Sequence, residues 1–201
     1  HTANRTICEY CGPGFFANQE THSCESCKIG EYSVGGANSC LSCNASIGLV
    51  STLDQQSSCL YCGSGKKANS TSNSCVDCEI GFFSVGGKDI CEPCPSGQVA
   101  ATGGLASCSA CTPGSIPVGG KVCAACSSGS YAEFGDEVCR PCDGGAGEYS
   151  AANAATCSVV GAGFEVNQFN NMTMTCKANF FSTGAKEKCS SCPPGSHSKP
   201  G

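Results

Sequence analysis

Apolar positions along this chain come singly or in short clusters, and no stretch sustains the 3.6-residue spacing of an amphipathic helix. What recurs is a glycine with an aromatic residue close behind it, at Phe15, Tyr32, Phe82, Tyr131, Tyr149 and Phe164. Diglycine or polar turns follow, as at Gly35-Gly36, Gly86-Gly87, Gly103-Gly104 and Gly119-Gly120. Short apolar runs bounded by such turns predict two brief strands per unit, a β-hairpin of roughly 4 residues a side, with little or no helix. The rings are expected to pack on neighbouring cysteines as local cores, since aromatic side chains carry the largest burial per residue. An exposed aromatic ladder is the alternative.

Cysteines punctuate this pattern. Ten CxxC pairs and two single cysteines open at positions 8, 24, 40, 59, 75, 91, 108, 123, 139, 157, 176 and 189, a basic period near 16 residues. A glycine stands three residues after the second position of most pairs, as at Gly14, Gly30, Gly65, Gly81, Gly97, Gly114, Gly129, Gly163 and Gly195. Three units make a longer repeat, for Cys8 to Cys59 spans 51 residues and the next two such steps span 49 each. This explains why CKIGEYSVGGANSCLSC at residues 27–43 returns as CEIGFFSVGGKDICEPC at 78–94, with nine of seventeen positions identical. The repeat boundaries fall at 1–58, 59–107, 108–156 and 157–201, the first including the end of a preceding unit and the last incomplete. Self-similarity of this kind predicts an elongated tandem-repeat rod whose units contact only their neighbours.

Composition demands the cysteines. Leu, Ile, Val and Phe make up 31 of 201 residues, and there is no Trp. Below about 20% of those four types, burial cannot offset the entropy of ordering a chain. Cysteine supplies 22 residues, enough to mark a small disulfide-rich scaffold. Such cysteine use points to an oxidising, extracellular or cell-surface setting. Four N-glycosylation sequons, at Asn4, Asn44, Asn69 and Asn171, agree with it and imply N-linked glycans. With a net charge of −5 and only 11 Lys plus Arg, there is no basic stripe for nucleic acid. No apolar run is long enough to insert directly into a membrane. The N-terminal HTANRTICEYC lacks a signal peptide's charged and apolar regions and reads as part of a longer processed chain.

The expected connectivity follows from two missing cysteines. If Cys157 and Cys176 each open a CxxC, their second members are lost at Val160 and Asn179. Unpaired thiols are a liability in secreted proteins, so two losses suggest one deleted bridge. Adjacent pairs would then bond first to first and second to second. The expected bridges are Cys24–Cys40, Cys27–Cys43, Cys59–Cys75, Cys62–Cys78, Cys91–Cys108, Cys94–Cys111, Cys123–Cys139, Cys126–Cys142 and Cys157–Cys176. Cys8, Cys11, Cys189 and Cys192 remain as an inter-repeat junction. Tail joined to head leaves sixteen residues between Cys192 and Cys8, close to the fifteen between Cys43 and Cys59, as in a head-to-tail series. The second-ranked scheme bonds the second cysteine of one pair to the first of the next, as in Cys11–Cys24, and leaves Cys176 and Cys189 to pair outside the pattern.

The CxxCxxGxY unit closed by a further CxxC resembles the cysteine-rich repeat of ephrin-receptor-like ectodomains and, more loosely, tumour necrosis factor receptor modules. Similar repeats occur in protist surface antigens and in mastigoneme proteins of flagellar hairs. The resemblance covers essentially all 201 residues. It implies an extended extracellular β-module and no enzyme.

Other chemistry finds little support. Zinc would need sets of four thiolates, which suits a secreted, sequon-bearing chain poorly. A redox CxxC would need a helix start in a βαβ unit. His1, His22 and His197 lie in polar turns or near the ends, and no GxSxG or HExxH is present. Asp136-Glu137 reads as solvated charge, and no EF-hand-type calcium loop appears. No cofactor and no catalytic or metal-binding residue is therefore expected. The sequence points to a structural repeat of a glycosylated extracellular fibre that associates with copies of itself, head to tail and laterally. The alternative is the stalk or ligand-binding region of a receptor or surface antigen.

Overall fold

The computed structural model describes residues 8–185 and 188–200. Among them there is no α-helix. Twenty-two short strands pair as eleven separate two-stranded antiparallel sheets, and two single 3₁₀ turns occur at Ala45–Ile47 and Gly144–Ala146. This is a small disulfide-rich, mostly β fold. The chain divides into two compact halves: residues 1–93 with 102–107, and residues 94–101 with 108–201.

Each unit is built alike. In most units an opening cysteine is followed three residues later by a left-handed glycine, then a strand, a turn, and a return strand that reaches the closing cysteine. After Cys43 and Cys142 a 3₁₀ turn intervenes and the left-handed glycine is Gly48 or Gly147, five residues on. Hairpin size varies within the three-unit period. Phe15–Asn18 pairs with Ser23–Ser26, Lys66–Asn69 with Ser74–Asp77, and Ser115–Val118 with Val122–Ala125, four residues a side as expected. The hairpins that follow are shorter, with two residues a side, as in Glu31–Tyr32 with Leu41–Ser42.

The bridges run differently from the expected ladder. They are Cys11–Cys24, Cys27–Cys40, Cys43–Cys59, Cys62–Cys75, Cys78–Cys91, Cys94–Cys108, Cys111–Cys123, Cys126–Cys139, Cys142–Cys157 and Cys176–Cys189. None of Cys24–Cys40, Cys27–Cys43, Cys59–Cys75, Cys62–Cys78, Cys91–Cys108, Cys94–Cys111, Cys123–Cys139, Cys126–Cys142 or Cys157–Cys176 is formed. The reason is local. One hairpin folds its own two ends together, bringing opening and closing Cα atoms to within 5.4–5.8 Å, which is bonding distance. The two cysteines of a CxxC belong to different hairpins.

The lost bridge also moves. Val160 and Thr173 are 13 residues apart, the separation of Cys11–Cys24 and Cys62–Cys75. Thr173 pairs with Val166 in the register that sets Cys24 against Ala17 and Cys75 against Ala68. Val160 is 4% exposed, in line with the opening cysteines Cys11 at 5% and Cys62 at 1%. So Cys176 opens a unit rather than closing one, and Cys176–Cys189 lies within the pattern. Asn179 replaces a glycine, not a cysteine, and holds the glycine's left-handed φ of 68°.

Within each half, successive units are tied by backbone hydrogen bonds. The Gly14 N–H donates to the Ser33 carbonyl at 2.7 Å, and the Gly14 carbonyl accepts from the Cys27 N–H at 2.9 Å. The same pair of contacts recurs around Gly65, with Ser84 and Cys78, and around Gly163, with Ser182 and Cys176. The turn of the following unit then caps the opening cysteine, as when the Gly87 N–H donates to the Cys62 carbonyl at 2.8 Å. These bonds satisfy backbone groups that a core this thin would otherwise leave unpaired. What is buried is cystine sulfur and small side chains, for example Val50, Cys62 and Ala68 with Ala45 and Cys75 against them.

Candidate functional site: open bridge positions and exposed hairpins

Ten bridges occupy twenty cysteines, and Cys8 and Cys192 have no partner within the chain. Cys11 and Cys189, expected at a junction, are instead closed inside their own halves by Cys24 and Cys176. The two remaining positions have definite senses. Cys8 stands where every other CxxC places a closing cysteine, and Cys192 stands where every other pair places an opening one. Cys192 is followed at the usual distance by Gly195, whose φ of 84° matches the other unit glycines. Its N–H donates to the Asn179 carbonyl at 2.9 Å, as the Cys78 N–H does to Gly65. Cys192 is thus held as an opening cysteine is held elsewhere.

Ten disulfides place the folded chain in an oxidising compartment. The bridged sulfurs are not available as thiolate ligands, and among the described residues no group of three or more His, Cys, Asp or Glu side chains is placed to hold a metal ion. No described helix is long and apolar enough to cross a membrane. His22 and His197 are exposed, and His1 lies outside the described residues.

Three of the four sequons can be located; Asn4 lies outside the described residues. Asn44 is exposed and caps the Ala45–Ile47 turn, its side-chain oxygen accepting from the Ser46 N–H at 3.1 Å and the Ser46 hydroxyl at 2.6 Å. Asn69 ends the Lys66–Asn69 strand, and its oxygen accepts from the N–H groups of Thr71 and Ser72. In both turns the oxygen is the bonding atom, and among the described residues the nitrogen that would carry a glycan makes no hydrogen bond. Asn171 differs. Its oxygen accepts from Asn167 at 2.6 Å, while its nitrogen donates to the Ser128 hydroxyl at 3.4 Å.

Asp136, expected as a solvated charge, braces its hairpin instead. It accepts from the Arg140 guanidinium at 2.6 and 3.2 Å and from the Glu133 N–H at 2.7 Å. The Arg140 hydrogen bond, with that of Glu133, holds the Asp136 carboxyl below its ordinary range. Arg140 also lies 5.0 Å from the Tyr131 ring centroid, a cation–π stack.

The aromatic rings are half-buried or exposed rather than cores in themselves. Phe82 is 37% exposed, Phe180 40% and Phe181 39%. The sequence reading missed the residues that are buried. Ser33, Ser51, Ser84, Ser150 and Ser182, with Ala100 and Ala132, are all essentially inaccessible. Each stands three residues after a unit glycine or its Asn179 equivalent, a fixed spacing that was available to find them.

No protein-family model matches this chain, and no curated protein matches it significantly.

Proposed function

We propose that this chain is a structural repeat of an extracellular, glycosylated protein fibre of flagellar-hair or surface-filament type, continuing head to tail through its disulfides. The phase of the bridges carries the reading. With an opening cysteine at 192 and a closing cysteine at 8, the chain offers one half-bridge of each sense. The members of this class of unit close after 16, 14 and 15 residues at Cys43, Cys94 and Cys142. A closing cysteine supplied by the next copy, whether in one tandem chain or a separate subunit, completes the bridge at Cys192. The resemblance to ephrin-receptor-like and mastigoneme repeats supports an extracellular structural role. Glycans at Asn44 and Asn69 suit an exposed, long-lived surface.

The experiment is non-reducing peptide mapping by mass spectrometry on native material. The expected result is Cys192 bonded to Cys8 of another copy, or to the equivalent closing cysteine of a further repeat. Free thiols at both positions overturn the fibre reading, and a receptor stalk or surface antigen then takes its place.

A further inference from the structure

Two surface grooves, one in each half, are the same feature written twice. The first, of about 400 Å³, is lined by Lys67, Val76, Asp77, Glu79, Phe82, Ile90 and Cys91. The second, also about 400 Å³, is lined by Glu165, Met174, Lys177, Phe180 and Cys189, with Thr175. Glu165, Met174, Lys177, Phe180 and Cys189 each lie 98 residues after their counterparts, two long repeats along the chain. Both grooves sit where a long hairpin meets the short hairpin after it. At the two equivalent places between them and before them, the phenylalanine position holds Glu31 and Ser130, so the groove is not a by-product of the repeat.

Shape is kept between the two grooves and charge is reversed. Lys67 becomes Glu165, and Glu79 becomes Lys177. Asp77 is already paired with Lys66 at 2.5 Å. Among the described residues, none of Lys67, Glu79, Glu165 or Lys177 forms an intrachain ion pair; Glu165 accepts the Cys189 N–H at 3.0 Å. The apolar centres stay open to solvent, with Phe82 37%, Phe180 40% and Met174 43% exposed.

We propose that the groove around Lys67, Glu79 and Phe82 of one copy docks on the groove around Glu165, Lys177 and Phe180 of a second copy. Phe82 then covers Phe180, with Lys67 opposite Glu165 and Glu79 opposite Lys177. A contact between like grooves in that orientation sets Lys67 on Lys67 and Glu79 on Glu79, which is repulsive. Charge reversal at both corners therefore makes the unlike pair complementary in this orientation, whereas a like pair has to turn by half a revolution to set Lys67 against Glu79. Because the two surfaces differ, a docked pair keeps one free groove of each kind. A heterologous contact of this sort can extend without closing, as a lateral assembly of a fibre requires. This inference rests on the reading of the chain as a self-associating structural repeat, and it supplies that reading with a lateral partner.

The test uses the full chain carrying Cys8→Ser and Cys192→Ser, which leaves all ten bridges intact and removes end-to-end bonding. Sedimentation is measured at about 50 mM and about 500 mM salt, where the Debye length falls from about 14 Å to about 4 Å. The expected result is association that weakens at least about tenfold at high salt, as screened charge pairs require. Lys67→Glu with Glu79→Lys abolishes it, and adding Glu165→Lys with Lys177→Glu restores it. A monomeric parent at all salts overturns the proposal. So does association that survives the first pair of substitutions, since that outcome means like grooves or another surface. Disulfide mapping at Cys8 and Cys192 is unaffected by any of these results, so the lateral contact can fail while the fibre reading stands.

Discussion

At the scale of single residues, Gly65, after the opening Cys62, is set by contact as well as by turn conformation. Gly65 has a φ of 77°, and a Cβ placed there would sit 2.0 Å from the Gly104 carbonyl oxygen. The unit that follows next but one therefore packs its turn directly on the glycine backbone. Gly65→Ala has to adopt a left-handed conformation and also push that turn away. We expect a loss of about 2 kcal/mol or more, from left-handed strain of roughly 1–2 kcal/mol plus the displaced contact. The midpoint of chemical denaturation with disulfides intact measures it, and an unchanged midpoint contradicts the packing. Asn179 shows which side chain the position accepts, since asparagine is among the few that visit this region readily. In the short hairpins the residue three beyond the glycine is buried, and little beyond a hydroxymethyl or methyl group stands there.

At the scale of the hairpin, the disulfide is an internal clasp. Each bridge closes a loop of 12 to 16 residues, and a loop of about 15 residues contributes about 3 kcal/mol in the chain-entropy model. One hairpin, Phe164–Val166 with Thr173–Thr175, has no clasp. Val160 occupies the opening site, and the turn carries exposed Phe169 and Met172. The double substitution Val160→Cys with Thr173→Cys is expected to form an eleventh bridge without further change. Intact mass under non-reducing conditions would show the loss of two hydrogens, and stability would rise by up to about 3 kcal/mol. Val160→Cys with Asn179→Cys, the pair that two broken CxxC motifs suggest, should remain reduced. Formation of that second bridge and not the first would place the phase of the ladder elsewhere.

At the scale of the whole molecule, the clasps and the inter-unit hydrogen bonds share the work that a hydrophobic core does in other proteins. The largest fully buried side chains include Val50 alone among the branched aliphatics, with five cysteines and three serines. Aliphatic and aromatic residues are instead widely exposed, from Ile29 and Leu41 to Phe134 and Val159. Removing the disulfides therefore leaves too little buried apolar surface to hold the units. Full reduction in non-denaturing buffer is expected to collapse amide chemical-shift dispersion across both halves together. A reduced chain that kept native dispersion would mean that backbone stacking suffices by itself.

The sequence alone determined the class of this protein. The 16-residue cysteine step, the glycine three residues on and the scarcity of large apolar residues left only a cross-linked series of short hairpins. These are properties of spacing and composition, and they do not depend on which atoms meet. Connectivity was a different matter. Cys176 with no cysteine three residues before or after it reads equally as the first or the second member of a broken CxxC, and one-dimensional spacing is nearly indifferent between the two ladders. Only the folded hairpin, by pairing Val166 with Thr173 and burying Val160 among the opening cysteines, decided the phase. The grooves at Phe82 and Phe180 were likewise invisible as sites. Their lining residues come from two successive hairpins and converge only when one unit packs on the next, so charge reversal between them has meaning only in three dimensions.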